Sequence, residues 1–548
     1  MEDKMQQEKD GGARTPLANA SRREALKAGA GIIVGALSAD RALAQSAGPE
    51  AAPAERTPPV NRADAWDHQE KYYGVTMQTG PGYKNDSKRA FGNGPMDATS
   101  RQLVEYTDKF SESNLTPALI DAFHNTMVDT IASLISGFES DPARICARLA
   151  RTTQSTLKST VLGYGITTSP ELAAYANSSM IRHTDFNDHT SDMMGGILAI
   201  GEALHSSGTE VMMAIILAYQ IDAALGGAGA DKPGFERGFD AGLYYLPATA
   251  LAVGKLLKLN QDQLANALSL AVTMHIPVRV CRSGVLSMQK GCATADAVRS
   301  AVFAALAARE GMTGPAEPFE GKAGVWQQIT GPYKQLRLPP RNRVGTALTG
   351  GIKRSPAEGW TQIVHEAIIP ELRAWTKPDD IESIHIEMAY WGWLEIADPP
   401  KWDPLNRETA DHSMPYEVAR ALLDGEVYVD SFTAEKAVDP AVRKLMNKIT
   451  VSVHPDYTDH GQVRMTVRNK AGAVFTKDTN SRAGDASNFG TPVTHDEIIA
   501  KYKRICEFMH VASDQRDRAL AQWSNLRAVK DIAEPMNTLA KFGRPSPL

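Results

Sequence analysis

The chain has 548 residues, of which 43% are hydrophobic and 22% are charged, and its formal net charge at pH 7 is −5. This balance is typical of a globular protein with two or three domains. The charge lacks the basic excess of a nucleic-acid-binding protein. No apolar run reaches the roughly 18 residues that a membrane anchor needs.

The first segment has the features of an export signal in their usual order. Residues 21–27 read S-R-R-E-A-L-K, which resembles a twin-arginine motif; a Gly/Ala-rich stretch (28–39) and the small-x-small sequence A-L-A (42–44) follow. We predict a signal peptide over 1–44, recognition by the twin-arginine export machinery, and a periplasmic protein. A disordered tail with two arginines by chance is the alternative. Residues 45–96, rich in Pro, Gly, Ala and charge, are predicted to form an extended arm.

Residues 97–330 have apolar side chains at helical spacing and many small residues, which allow helices to pack closely. We find no alternating pattern that would indicate a strand there. The prediction is a large all-α domain, joined by the C-terminal residues 511–548. Its predicted helices are Leu115–Gly137, Pro170–Met180, Met193–His205, Glu210–Leu225, Ala248–Leu259, Gln261–Met274 and Thr294–Gly311.

The composition changes after Pro332, and residues 331–510 are predicted to form a smaller α+β lid domain. Ile381–Met388 alternates apolar and polar residues, which predicts a strand, and Leu445–Val453 and Gln462–Arg468 are similar. The helices predicted in this part are Thr361–Trp375, Tyr416–Leu423 and His495–His510. The fold class is therefore mainly α, with a helical domain and a mixed lid.

The stretch Arg182–Asp192 reads R-H-T-D-F-N-D-H-T-S-D, with two histidines, three aspartates and an arginine in eleven residues. Such a density of titratable groups is typical of a site that moves protons or binds carboxylates. One alternative is that Ser191 and Asp192 cap the helix that follows. Another is a metal site made of His183, Asp185, Asp188 and His189, although adjacent residues rarely point together.

Several separated stretches form a recognisable set of motifs. They are Y-A-N-S-S-M-I-R-H-T-D-F-N-D followed by H-T-S-D-M-M-G-G-I-L-A-I-G-E-A-L, S-M-Q-K-G-C-A-T-A-D-A-V-R-S at 287–300, I-K-R-S-P-A-E-G-W-T-Q at 352–362 and E-T-A-D-H-S-M-P-Y at 408–416. They resemble the motifs of the MmgE/PrpD family, which includes 2-methylcitrate dehydratase, cis-aconitate decarboxylase and iminodisuccinate epimerase. The likeness spans roughly residues 97–510. The resemblance implies a site between a helical domain and a lid, in a homodimer.

Four residues are predicted to be catalytic because they match the family's motifs. Asp185 and His189 match its catalytic aspartate and histidine, and Lys290 matches a lysine that lies in its site. A lysine there can bind a carboxylate or, if burial lowers its pKa, act as an acid. Tyr416 matches a tyrosine that can donate a hydrogen bond or a proton. From the residues alone, a surface Lys290 and a core Tyr416 are the alternatives.

Six further residues are predicted to bind substrate. Lys353 matches a family site lysine, and the guanidinium groups of Arg182 and Arg354 suit polycarboxylates. Glu358 and Gln362 are weaker candidates. The full set is Arg182, Lys353, Arg354, Asp188, His412 and Tyr245.

The chain departs from the family pattern at two places. His189 follows Asp188 directly, whereas relatives usually have a threonine and several more residues between them, so this loop is shorter. Tyr244 and Tyr245 stand where many relatives have a histidine, and a tyrosine is not a base near neutral pH.

These residue types predict a cofactor-independent hydro-lyase, similar to 2-methylcitrate dehydratase, that acts on a di- or tricarboxylate. A base removes a proton next to a carboxylate, and cations stabilise the developing charge. A decarboxylase or an epimerase of a polycarboxylate such as cis-aconitate needs the same groups, and a non-catalytic periplasmic carboxylate-binding protein is a further alternative. No cofactor or metal is predicted: Gly226–Gly229 follows a helix rather than a strand, and the four cysteines have no metal-ligand spacing.

Overall fold

Helices dominate the described part of the chain, which is residues 96–228, 237–334, 336–480 and 492–543 of a computed structural model. Helical residues make up 59% of the structure, so the prediction of a mainly α protein is confirmed. The predicted signal peptide and all but the last residue of the predicted arm lie outside the described residues.

The first part contains nine helices within its described residues. Side-chain oxygens of Thr116, Ser140, Ser207 and Asn260 accept backbone N–H groups at the starts of four of these helices, which satisfies donors that a helix leaves free. The helices are α1 (Ala98–Asp108), α2 (Pro117–Ser136), α3 (Asp141–Ala150), α4 (Pro170–His183), α5 (Met194–Ala203), α6 (Gly208–Gly226), α7 (Gly242–Leu256), α8 (Gln261–Met274) and α9 (Gln289–Arg309).

A hairpin interrupts these helices, so the prediction of an all-helical domain was wrong at this point. Strands β1 (Ser159–Val161) and β2 (Ile166–Thr168) pair antiparallel. Between them, Gly163 and Gly165 have φ angles of 79° and 61°, which glycine adopts at little cost. The sequence pattern of a hairpin is present here, because β-branched residues stand on both sides of a glycine-containing turn in S-T-V-L-G-Y-G-I-T-T.

The second part mixes short helices with a four-stranded sheet. Its helices are α10 (Thr346–Thr349), α11 (Ile369–Trp375), α12 (Tyr390–Ile396), α13 (Arg407–Ala410), α14 (Met414–Asp424), α15 (Ala434–Ala437) and α16 (Pro440–Met446). Its strands are β3 (Ile381–Met388), β4 (Ile449–Val453), β5 (Gln462–Asn469) and β6 (Val474–Asn480). The strand predicted from Leu445 therefore begins only at Ile449, and β6 was not predicted.

The sheet has the strand order β4-β3-β5-β6. Strand β3 runs parallel to β4 and antiparallel to β5, and β5 pairs antiparallel with β6. Ile384, Ile386 and Met388 of β3 are fully buried, whereas His385 between them is exposed. The alternating pattern in the sequence therefore marks the covered face of the sheet.

Two hydrophobic cores form in the described residues, one under α1–α9 and one between the sheet and α14. The C-terminal helices α17 (His495–Phe508), α18 (Ser513–Trp523) and α19 (Ala533–Thr538) bury Tyr502, Trp523 and Met536 in the first core. Helix α17, which we expected in the lid, thus packs with the helical body. Helices α6 and α9 are long and apolar enough to cross a membrane, but 72% of each apolar window is buried, as in core helices of soluble proteins.

The N-terminus of α6 packs against the chain just before α19, and this contact needs a glycine. A methyl group at Gly208 would lie 1.8 Å from the carbonyl oxygen of Leu526, whereas one at Gly226, the last residue of α6, would meet nothing within 4 Å. We expect Gly208→Ala to lower the free energy of unfolding by about 1–3 kcal/mol. The control Gly226→Ala should leave it unchanged or slightly higher. Denaturant unfolding measures both, and equal midpoints would contradict the prediction.

Candidate active site

Asp185 lies at the centre of the buried polar cluster, directly after the end of α4. Its φ angle is 54°, a left-handed conformation that is unfavourable for a residue other than glycine. Its Oδ1 atom lies 2.7 Å from Nη1 of Arg182, 3.0 Å from Nζ of Lys353 and 3.3 Å from Nε2 of His189. Four of the predicted site residues therefore meet at one carboxylate oxygen.

This carboxylate is ionised in the folded protein. Burial alone would raise its pKa, but the guanidinium of Arg182 and the ammonium of Lys353 hold the pKa of Asp185 well below its usual range. The side chains of Asp185 and Arg182 are fully buried, and that of Lys353 is 1% exposed. Water therefore screens this cluster very little, and its charges interact more strongly than charges at the protein surface do.

His189 follows in the short 3₁₀ segment His189–Met193, and 35% of its side-chain surface is exposed. The surrounding protein and the nearby Arg182 hold its pKa well below the usual range, although Asp185 opposes this, so the imidazole is neutral. The ionised Asp185 next to Nε2 favours the tautomer protonated on that nitrogen. Nδ1 is then the atom that can accept a proton.

Lys353 is brought to Asp185 by a segment that packs tightly against the 185–192 loop. Besides Oδ1, its ammonium donates to the backbone carbonyls of Asp185 at 3.2 Å and Ala357 at 3.0 Å. Gly351 allows the approach, because a Cβ atom there would lie 2.3 Å from Cβ of Asp188. Gly351 in the sequence G-G-I-K thus lets the two segments meet.

Lys290, in the first turn of α9, forms the second charged pair of the cluster. Its ammonium lies 2.6 Å from Oδ2 of Asp411, and both side chains are buried. The other oxygen of Asp411 lies 3.0 Å from Nδ1 of His412. Burial raises the pKa of Asp411, but Lys290 and His412 outweigh it and lower the pKa to about 2. Burial lowers the pKa of Lys290, against the opposing effect of Asp411.

A third group of carboxyls lies in the loop and next to it. Asp192 is fully buried, whereas Asp188 and Asp222 are half-buried. Burial raises the pKa of Asp188 to about 6 and those of Asp192 and Asp222 to about 7. Tyr245, a predicted binding residue, is 3% exposed, and its pKa is raised by burial and then by these carboxylates.

Neither alternative for the 182–192 stretch is supported by the described residues. The carboxylate of Asp192 accepts a hydrogen bond from the hydroxyl of Thr294 at 2.7 Å, and Ser191 donates to the carbonyl of Asp188, so neither side chain caps the helix. No group of three or more histidine, cysteine or acidic side chains in this part of the chain is arranged to hold a metal ion.

The raised pKa of Asp192 predicts a pH effect on stability. The folded carboxyl keeps its proton up to about pH 7, whereas the unfolded one loses it near its ordinary pKa of 3.8. The folded state is therefore favoured most below about pH 4, and this contribution is lost as the pH rises through 7. The variant Asp192→Asn cannot titrate, and its amide keeps an oxygen that can accept the hydrogen bond of Thr294. As the pH rises from 4 to 8, the free energy of unfolding of this variant should increase relative to that of the wild type. A difference between the two that is constant with pH would contradict this.

Two predicted residues make their contacts away from Asp185. Arg354 turns outward, where its Nε lies 3.0 Å from Glu497 and its Nη1 contacts Glu366. Tyr416 is fully buried in the second core, and its hydroxyl donates to the carbonyl of Ser431 at 2.5 Å. Burial raises its pKa to about 12, against the effect of Arg420. It is one turn from His412, but α14 begins between them, at Met414, so the two side chains diverge.

The remaining weaker candidates support the backbone around Lys353. Gln362 donates from Nε2 to the carbonyl of Ala357 at 3.0 Å. Glu358 accepts the backbone N–H of Trp360 at 2.6 Å, and burial together with Glu395 raises its pKa to about 8.

Four residues of the site and its surroundings were not predicted from the sequence: Asp411, Arg407, Asp129 and Lys501. Asp411 stands inside the quoted motif D-H-S-M-P-Y, next to the chosen His412. Asp129 was detectable as a single acid in the apolar run T-M-V-D-T-I-A, because a buried charge needs a partner. That partner is Lys501, 2.6 Å away, and its distance along the chain gave no sequence signal.

Comparison with known proteins places this cluster in a family. The MmgE/PrpD N-terminal domain matches residues 101–337, and the MmgE/PrpD C-terminal domain matches residues 355–525. The chain belongs to the MmgE/PrpD family. Asp185, His189 and Lys290 lie within the first match, and His412 and Tyr416 lie within the second. Lys353 falls between the two matches.

Members of this family with curated activities are distant in sequence. The chain is 27% identical over 433 residues to 2-methylcitrate dehydratase of Salmonella typhi, covering 73% of this chain and 85% of that protein. It is 24% identical over 462 residues to cis-aconitate decarboxylase of Homo sapiens, covering 79% and 92%. It is 23% identical over 393 residues to cis-aconitate decarboxylase of Aspergillus terreus, covering 63% and 76%. These relatives are enzymes with different reactions.

Proposed function

We propose that this MmgE/PrpD chain is a cofactor-independent hydro-lyase that removes water from a di- or tricarboxylate. The observation that carries the proposal is the neutral, partly exposed His189 held against the ionised Asp185 among buried cations. An imidazole that is neutral at pH 7 and oriented by a carboxylate can accept a proton as a general base.

The charge balance of the cluster favours an anionic substrate. Arg182, Lys290, Lys353 and Arg407 are the cations next to Asp185 and Asp411, two carboxylates whose pKa values are lowered. Asp188, with a pKa of about 6, adds a third negative charge at neutral pH, so the cations are still in excess. A substrate carboxylate would offset this excess and gain charge-assisted hydrogen bonds.

The chemistry then needs few steps. Nδ1 of His189 accepts the proton from the carbon next to a carboxylate, and the electron pair forms a carbon–carbon double bond as the carbon–oxygen bond breaks. The leaving hydroxyl takes a proton from the ammonium of Lys290, or from His189, and departs as water. Lys353 and Arg182 stabilise the charge that develops on the substrate carboxylate. Tyr416, whose hydroxyl is bound to Ser431, has no part in this assignment.

The reaction is tested with purified protein and a panel of 2-methylcitrate, citrate and cis-aconitate. Ultraviolet absorbance follows formation or loss of the double bond, a carbon dioxide assay detects decarboxylation, and NMR in deuterated water detects proton exchange without loss of water. Double-bond formation from a hydroxy acid supports the proposal. Release of carbon dioxide would identify a decarboxylase, exchange alone an epimerase, and tight binding without any change a carboxylate-binding protein.

We also propose export by the twin-arginine route to the periplasm. The supporting observation is the order of S-R-R-E-A-L-K, the Gly/Ala-rich stretch and A-L-A over residues 21–44. Replacing Arg22 and Arg23 by lysine should keep the precursor in the cytoplasm, and unchanged delivery would contradict the route.

A homodimer is our proposal for the assembly. The exposed loop before α9 offers an apolar surface, in which Val278, Val280 and Val285 are 54%, 72% and 74% exposed. Burial of these apolar side chains against a second subunit would be favourable, because it removes their surface from water. Light scattering of the purified protein gives the mass, and a monomer at micromolar concentration would overturn the proposal.

A further inference from the structure

A cleft of about 610 Å³ is lined by residues that lie near Lys290 and Asp411 in the chain, among them Met288 and Arg407. One wall comes from the end of α2 and the start of α3, and the other comes from residues 405–434. Its volume lies in the range of small-molecule sites. Among its lining residues are Ser136, His183, Met288, Arg407, Phe432 and Phe508.

Arg407 lines this cleft and has an unused hydrogen-bonding edge. Its Nη1 donates to the carbonyl of Val429 at 3.0 Å, and its guanidinium carbon lies 5.1 Å from the ring centre of Phe432. Its Nε and Nη2 atoms are buried and make no hydrogen bond within the described residues. The oxygen of Asp411 that Lys290 binds is 4.0 Å from Nε, too far for a hydrogen bond.

His183 lies at the same cleft with a second unused group. It is 6% exposed, and in the described part of the chain its Nδ1 has no hydrogen-bond partner. Burial, followed by the charges of Arg407 and Lys290, holds its pKa well below the usual range, so the ring is neutral. The tautomer protonated at Nδ1 is a hydrogen-bond donor.

Unpaired buried donors are unfavourable, and a charged donor is more so than a neutral one. The Nε and Nη2 edge of a guanidinium matches the two oxygens of a carboxylate. An inorganic anion shares this chemistry only in part, because it leaves the aromatic and apolar surface of Phe432, Met288 and Phe508 unused.

We propose that this cleft binds a carboxylate of the substrate that does not react, with Arg407 as its bidentate receptor and His183 as a second donor. The inference rests on the proposed function only in taking a di- or tricarboxylate as the ligand. His183 and Thr184 line the cleft directly before Asp185, and the charges of Arg407 and Asp185 act on each other, so the cleft lies next to the Asp185–His189 pair.

Acidic side chains at the cleft limit what it accepts. Glu139 and Asp141 are exposed at its walls, where water screens their charges. Asp430 is paired with Lys436 at 2.8 Å. Glu408 is 8% exposed, and burial raises its pKa. The positive charge of the cleft therefore lies at Arg407, whose ion pair with Asp411 is long at 4.0 Å, and this favours one carboxylate at that end.

The experiment is calorimetric titration with propane-1,2,3-tricarboxylate, a tricarboxylate without a hydroxyl to eliminate. Arg407→Gln should weaken its binding about 10- to 100-fold, the loss expected for hydrogen bonds to a charged group. The matched control is Arg443→Gln, because Arg443 also donates to backbone carbonyls, those of Pro404 and Ala437, but does not line the cleft. It should bind the probe as the wild type does.

A second variant tests the same cleft without removing a buried charge, whose loss can affect folding. Met288 is 41% exposed in the cleft, so Met288→Trp should fold and should weaken binding by occupying the space. Unchanged binding by both Arg407→Gln and Met288→Trp would overturn the site, and so would a wild type that does not bind the probe. Inorganic phosphate binding as tightly as the tricarboxylate would overturn the carboxylate assignment.

Turnover separates this inference from the proposed function. If Arg407→Gln loses binding while the wild type converts no member of the substrate panel, the cleft assignment stands and the hydro-lyase proposal fails. If the wild type is active and Arg407→Gln has an unchanged KM, the cleft assignment fails and the hydro-lyase proposal stands.

Discussion

Asp185→Asn is expected to lower kcat by about 10²- to 10⁴-fold, the range that general-base catalysis contributes. The ionised carboxylate fixes the proton on Nε2 of His189, 3.3 Å away, and balances the charges of Lys353 and Arg182. The amide carries no charge and can turn its NH₂ group towards the histidine, so both effects are lost. Steady-state kinetics with the substrate found in the panel measure the change.

Stability must be measured alongside, because the substitution leaves two buried cations without their shared partner. The cost of such a loss is about 3–5 kcal/mol. The control is Asp222→Asn, which removes a nearby carboxyl whose pKa burial already raises to about 7 and whose contact is Thr190, at 3.1 Å. This control should retain activity.

A double variant shows whether Asp185 acts through His189. If the two form one unit, Asp185→Asn combined with His189→Asn should lose little more activity than His189→Asn alone. Losses that multiply would show that the two residues act independently, and Asp185 would then be assigned a separate role in binding.

The parts of the fold that the sequence predicts are those set by local periodicity. The helices of the first core and the strand β3 have apolar residues at the spacing of the face they bury. The hairpin at 159–168 is only three residues per strand, too short for the period to stand out. Helix α17 has the pattern of a surface helix in either domain, and only its tertiary contacts place it against the first core.

The difference between local sequence patterns and tertiary contacts also decides how much of the site could be predicted. Arg182, Asp185 and His189 share one short stretch, and the family motifs supplied Lys290 and Lys353. Side-chain direction is not encoded in a motif: Lys353 and Arg354 are neighbours, but one points to Asp185 and the other to Glu497. Asp129 and Lys501 are 372 positions apart, so their pairing follows only from the folded chain.

Lys501→Met is expected to lower both stability and turnover, because one ammonium anchors both segments of the site. Its Nζ lies 2.6 Å from Oδ1 of Asp129 and 4.0 Å from the ring centre of Phe186, and it donates to the carbonyls of Phe186 and Lys353. Phe186 follows Asp185 in the chain, and Lys353 is one of the cations that bind the Asp185 carboxylate. Losing the partner of a buried charge costs about 3–5 kcal/mol.

The double variant Lys501→Met/Asp129→Asn separates anchoring from stability. Removing both charges should restore much of the free energy of unfolding, since an apolar replacement of a buried pair is often nearly neutral. Turnover should stay low, because the carbonyls next to Asp185 and at Lys353 remain unanchored and sub-ångström positioning matters for catalysis. Lys477→Met is the matched control: its ion pair with Glu371 has a similar length, 2.8 Å, but is exposed, so its loss should cost less than about 1 kcal/mol. If turnover recovers together with stability in the double variant, Lys501 supports only the fold, and the geometry of Asp185 and Lys353 is maintained by their own contacts.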